Sequence, residues 1–186
     1  MNNLSPGFAS AMEAQSCFRA ILGAFSSPGH LVTLPVALTP PQGLSSACAA
    51  LLLTLTDAHT KIALSEARAA QDWLTFHTGA PLAATADADF CVATVRPALS
   101  ALKQGTDMAP EEGATLILDL VDFTGSAFWL SGPGLKDPIS VSLPLDSAFL
   151  EEWHAQTHAA PRGVDVILCA GNQILALPRS LQIKEG

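Results

Sequence analysis

Apolar positions near the start of the chain recur at helical spacing. Phe18, Ile21, Leu22 and Phe25 fall at i, i+3, i+4 and i+7, which predicts one apolar helix face, and "SSPG" at 26–29 supplies the turn that stops it. "HLVTLPV" then reads as a short strand, with Pro35 placing it at a sheet edge or near its own end. The run "ACAALLL", 47–53, is far too short for the roughly 20 apolar residues a bilayer requires and reads as part of a buried helix over about 45–55. "KIAL" at 61–64 reads as a strand. "AAQDWLTFH" follows as a helix with Ala69, Trp73 and Phe76 on one side, and "FCVATV" at 90–95 as a further strand. Pro97 suits the first turn of a next helix and Gly105 its C-terminal cap.

The second half is richer in strand. "ATLILDLV" and "SAFWL" lie on either side of "DFTG", and "ISVSL" adds a third strand. Asp146 is placed to cap a helix carrying Phe149, Leu150 and Trp153, with Leu145 positioned to staple against Leu150. "VDVILC" and "ILAL" flank Gly171-Asn172, a pair that favours a tight antiparallel hairpin. Helices and strands alternate and a hairpin closes the chain, so the expected architecture is α/β: a mixed sheet with helices on both faces.

The 186 residues are expected to form one domain, burying roughly 70% of the surface of the unfolded chain. A net charge of -8 disfavours a nucleic-acid or anionic-membrane surface. Cys17, Cys48, Cys91 and Cys169 are widely spaced within mostly apolar runs, the pattern of reduced core thiols in a cytoplasmic protein. The N-terminal segment has neither the basic region nor the apolar core of a secretory signal. About half the residues are apolar and only 14% are charged, which predicts apolar surface at a subunit contact and a homodimer when the chain is alone.

No complete catalytic motif is present. "WLSGPGL" at 129–135 has a phosphate-loop look, but Pro133 removes an amide donor and neither GxxxxGK nor GxGxxG is completed. A turn with Pro at its second position and Gly at its third accounts for it. His154 and His158 share a helix face at i and i+4, yet Ala155 stands where a zincin has Glu, so no metal is expected. His30, His59 and His77 sit singly at element ends. No GxSxG elbow occurs, and none of the four lysines has Schiff-base surroundings, so neither a serine hydrolase nor a pyridoxal enzyme is expected. Arg162 and Asp165 bracket Gly163 before a buried strand, and Arg179 in "LPR" comes near if the hairpin forms. The arginines offer forks to a carboxylate or phosphate, and an internal Arg-Asp pair is the simpler use.

"GF" at 7–8, "FRAIL" with "SSPG" at 18–29, "LLLTLTDAHT" at 51–60, "FHTGAP" at 76–81, "PEEGATLIL" at 110–118, "LSGPG", "PRGVD" and "LPRS" follow one another in order. Together they resemble the H-subunit family, PhnH, of the bacterial carbon-phosphorus lyase system, over nearly the whole chain. Ser180 stands where that pattern has Thr. The resemblance implies a three-layer sandwich of the pyridoxal-phosphate transferase fold without the cofactor. It implies a phosphonate-utilisation subunit required, with the G, I and L subunits, to form alpha-D-ribose 1-methylphosphonate 5-triphosphate from ATP and methylphosphonate, and joined to G, I, J and K in a larger complex. Asp57, Thr60, Ser131, Gly132, Gly134, Arg162, Asp165 and Arg179 lie where strands begin or end and are the candidate ligand-binding set. They line one anion-binding cleft, or they form the polar frame of a docking surface on a subunit with no complete active site of its own.

Overall fold

The computed structural model describes residues 5–64 and 68–186, so Met1–Leu4 of the N-terminal segment lie outside it. Among the described residues, four α-helices, α1 (Ala11–Ser26), α2 (Ser46–Leu55), α3 (Arg68–Thr78) and α4 (Ser147–His158), accompany nine strands. The strands are β1 (Val32–Thr33), β2 (Ile62–Leu64), β3 (Phe90–Ala93), β4 (Thr115–Asp119), β5 (Ser126–Ser131), β6 (Ile139–Leu143), β7 (Asp165–Ala170), β8 (Gln173–Leu177) and β9 (Gln182–Glu185).

Six strands form a mixed sheet in the order β1-β8-β7-β4-β3-β2, parallel from β7 through β4 and β3 to β2 and antiparallel across β7, β8 and β1. Because both faces are covered, its central strands are continuous apolar runs rather than alternating ones. On one face Ile62, Leu64, Val92, Ile117, Ile167, Cys169, Ile174 and Ala176 pack with α1, α2 and α3. On the other, Ala63, Cys91, Leu116, Leu118, Val166, Leu168, Leu175 and Leu177 pack with Phe128, Leu130 and Leu143, with Phe149, Leu150 and Trp153 of α4, and with Ile183. The second face is thus covered by one helix and a three-stranded sheet, β6-β5-β9, rather than by helices alone.

Local signals set most element ends. In α1, the N-cap Ser10 accepts from the Glu13 amide while the Glu13 carboxylate accepts from the Ala9 amide, one position before the cap. Asp146 caps α4 through the Phe149 amide at 2.7 Å. Ala170 pairs with Gln173 across the two-residue Gly171-Asn172 turn, and Gly171 takes φ +56°.

Three expectations change. α1 buries Cys17, Ile21 and Ala24 and leaves Phe18 and Leu22 about half exposed, so its core stripe is rotated onto the smaller residues. α3 buries Ala70, Trp73 and Leu74, with Phe76 in solvent. Between Pro97 and Gly105 only a single 3-10 turn, Leu99–Ala101, forms. There the Glu152 carboxylate takes the Leu99 amide, and the Gln104 carboxamide donates to the Leu99 and Leu102 carbonyls at 2.6 and 2.9 Å. These side chains occupy the backbone groups a longer helix would use.

Candidate functional site

The register Ile62-Phe90-Thr115-Asp165 aligns the amino ends of β2, β3, β4 and β7, and two groups of candidate residues gather there. Asp57 and Thr60 lie in the turn after α2. The His59 amide donates to the Asp57 carboxylate at 2.8 Å and the Thr60 hydroxyl at 2.9 Å, and these bonds hold the exposed carboxyl below its ordinary range. The turn borders a groove of about 390 Å³ whose other walls include Asp89, Glu111 and Glu112, a surface that repels anions.

Asp165 begins β7 and meets Arg179, which follows β8. Arg179 donates to Asp165 Oδ2 from Nη2 at 2.6 Å and from Nε at 3.2 Å, and its backbone amide donates to Oδ1 at 2.7 Å. Its Nη1 donates to the Pro110 carbonyl at 2.6 Å. A Cβ on Gly113 would collide with that guanidinium and with the Gly163 carbonyl, so only glycine fits. Arg162 does not join the group. It pairs instead with Asp107 at 3.1 Å, the Arg162 side chain about half exposed and Asp107 mostly so, which corrects the expected Arg162-Asp165 pairing.

Ser131, Gly132 and Gly134 lie elsewhere, Ser131 ending β5 and the two glycines in the turn that leaves it. Gly132 and Gly134 take φ +134° and +88°. A Cβ on Gly134 would stand 2.7 Å from Pro28 Cδ and from the Ser26 carbonyl oxygen, and one on Gly29 would stand 2.5 Å from Leu130 Cδ1. The two Pro-Gly turns therefore interlock, and "SGPG" closes a packing contact.

The same holds for other stretches singled out in the sequence. "PEEG", "PRGVD" and "LPRS" meet around Gly113, Asp165 and Arg179. The N-terminal "GF" lies against "FHTGAP": Gly7 faces the His77 ring, and the Ser5 carbonyl accepts from Trp73 Nε1 at 2.7 Å and lies 3.0 Å from His77 Nε2.

At the opposite, carboxyl ends of β3 and β4, where α/β sheets form their crevices, a cavity of about 260 Å³ is bordered by Thr94, Leu118, Leu145 and Arg96. Arg96 bonds Glu152 at 3.1 Å and Asp146 at 3.4 Å and lies over the Phe149 ring at 5.5 Å. Sequence reading passed over it; an arginine directly after a buried strand and before Pro97 was the available signal. Two carboxylates already answer its charge.

The four cysteines are buried and free of disulfides. Cys48, Cys169 and Asp119 bring sulfur and oxygen atoms within 4.8 Å of one another. Asp119 also accepts the Ser45 amide at 2.7 Å, at the amino end of α2. The hydrogen bond with Cys169, together with burial, pushes the Cys48 thiol well up. For Cys169 the bond with Cys48 pulls down, but burial and the Asp119 charge outweigh it and leave the thiol raised. The Cys169 thiol also lies 3.4 Å from the Leu118 carbonyl and 3.6 Å from Asp119 Oδ1, so the three side chains form one buried hydrogen-bonded cluster.

The fold is that of an α/β domain with a mixed central sheet, and its marked sequence stretches serve chiefly to hold one another. The family model described as "Bacterial phosphonate metabolism protein (PhnH)" matches residues 6–184, and the chain belongs to that family. It is 34% identical to the alpha-D-ribose 1-methylphosphonate 5-triphosphate synthase subunit PhnH of Rhizobium meliloti (strain 1021), over 92% of this chain and 90% of that one. It is 31% identical, over 93% and 87%, to a protein of Stutzerimonas stutzeri whose proposed name is C-P lyase subunit protein HtxG.

Proposed function

We propose that the chain is a cytoplasmic subunit of a carbon-phosphorus lyase system, needed alongside G, I and L partners when alpha-D-ribose 1-methylphosphonate 5-triphosphate is made from ATP and methylphosphonate, and assembled with G, I, J and K. It acts as one domain, a relative of the pyridoxal-phosphate transferase fold that works without that cofactor. Its role is to dock and order partners. The observation that carries this reading is the internal use of the family's marked stretches: Arg179, Asp165 and Gly113 are engaged with one another, Gly29 packs on Leu130, and Gly134 packs on Pro28. Exposed Met12, Phe18 and Leu22 on α1 give the chain apolar surface for a homodimer when alone.

Co-purification with tagged partner subunits tests the assignment. A stable complex that restores growth on methylphosphonate is expected, and failure of both sinks it. A second reading has Asp57, Thr60, Ser131, Gly132, Gly134, Arg162, Asp165 and Arg179 hold nucleotide or phosphonate, and rests on the half-exposed Arg162 side chain. Calorimetric titration of the lone protein with ATP and with methylphosphonate separates the two, since only this reading expects heat of binding.

A further inference from the structure

A cavity of about 620 Å³ lies apart from the candidate residues described above and takes in Gly29 and His30. It opens between the two sheets, where β6, an edge strand of the small sheet, faces β8 of the large one and the 29–31 segment. Its walls are largely apolar, with Phe123, Ile139, Val141 and Leu175 prominent, and carry hydroxyls from Thr124, Ser140 and Ser142. Its volume falls within the range of small-ligand sites.

Among its lining residues only His30 is ionisable. The His30 Nδ1 lies 3.2 Å from the Ser27 carbonyl and 3.3 Å from that of Pro28. Both neighbours can only accept, so in the neutral ring the proton sits on Nδ1 and Nε2 is left as an acceptor. The turn is itself fixed, since the Gly29 amide donates to the Ala176 carbonyl of β8 at 3.2 Å. The cavity thus offers largely apolar walls, the His30 ring, the hydroxyls of Thr124, Ser140 and Ser142, and no lysine, arginine or carboxylate.

We propose that this cavity binds a neutral heteroaromatic ring bearing an N–H donor, which bonds to His30 Nε2. A phosphate, phosphonate or carboxylate finds no cation there. The assignment is independent of the subunit role proposed above.

The test uses benzimidazole and 1-methylbenzimidazole, which match in shape and differ in the N–H, with methylphosphonate as the anion. Titrations of the full chain are followed by calorimetry and by the NMR signals of the His30 ring. Benzimidazole is expected to saturate in the millimolar range or tighter, and the methylated compound to bind about tenfold more weakly, the worth of one hydrogen bond. His30→Ala should erase that difference, and Ser140→Trp, at an exposed lining position, should weaken both with an unchanged melting temperature. Equal binding of the two compounds by the unmodified protein, no saturable binding, or methylphosphonate perturbing His30 at the same concentrations would each overturn the proposal. The first comparison needs no variant, so it stands even if one misfolds.

Discussion

Asp165 and Arg179 face each other across the open end of the β7-β8 hairpin, joined by two side-chain bonds of 2.6 and 3.2 Å and by the Arg179 backbone amide. Only about a fifth of either side chain reaches water. Arg162, two positions before the strand's first neighbour Val164, reaches out to Asp107 instead, and about half of its side chain is exposed. Arg179→Ala leaves a carboxylate with one backbone donor and the Pro110 carbonyl without its partner, so it should cost about 2–4 kcal/mol. Arg162→Ala should cost less than about 1 kcal/mol. Urea unfolding of the two variants compares them directly; equal losses would mean that the partners are wrongly assigned.

Two glycines of positive φ allow backbone strain to be separated from crowding. Nothing lies within 4 Å of a Cβ added at Gly171, so Gly171→Ala bears the conformational cost alone, about 1 kcal/mol. Gly134→Ala adds collision with Pro28 and with the Ser26 carbonyl, and should cost about 3 kcal/mol. Thermal unfolding should show the larger drop for Gly134→Ala, with loss of the α1 end contact visible in amide exchange at Gly29.

Gln156 is nearly buried on α4, and its carboxamide acts as a strand partner for Val164, accepting from the amide at 3.0 Å and donating to the carbonyl at 3.2 Å. Gln156→Leu keeps the bulk and strands both backbone groups, for an expected loss of about 2–3 kcal/mol. Gln156→Glu retains only the acceptor and should lie between, as read from denaturation midpoints.

The raised thiols of Cys48 and Cys169 give a signed dependence on pH. The unfolded chain releases these protons at about pH 8.5, before the folded protein does. Their contribution to stability is therefore complete below that value and is lost as pH climbs towards the folded pKa values. Unfolding midpoints from neutral pH to about 9.5 should fall, and Cys48→Ala should flatten the fall. In the folded protein a disulfide exchange reagent should label none of the four buried thiols rapidly. Prompt labelling of Cys48 would show that the core opens there.

What the sequence made legible follows the range of the interactions involved. The α4 cap at Asp146 and the Gly171-Asn172 hairpin are local, and each appears where its signal stands. The face of α1 is ambiguous in sequence because two apolar stripes share Ile21, and the choice between Phe18/Leu22 and Cys17/Ala24 beside it rests on what packs against the helix. The absent helix after Pro97 turns on Glu152, more than fifty positions away, which no window of local sequence contains. β9 went unread because its "QIKE" holds one core residue, Ile183, and owes its place to pairing with β5. Among the site residues, the approach of Arg179 to the start of β7 was readable from the hairpin, whereas the partner of Arg162 was not, since Asp107 lies in an irregular loop.

The interlocked turns at Pro28-Gly29 and Gly132-Gly134 join segments 106 positions apart, from Pro28 to Gly134. The first turn is also bonded to β8 of the large sheet through Ala176. It therefore works as a seam between the layers: the small sheet cannot shear across the large one without first parting a contact made by the end of α1. Opening that seam exposes both sides together, so the N-terminal helix and the small sheet should gain and lose protection as one cooperative unit despite lying on opposite faces of the central sheet.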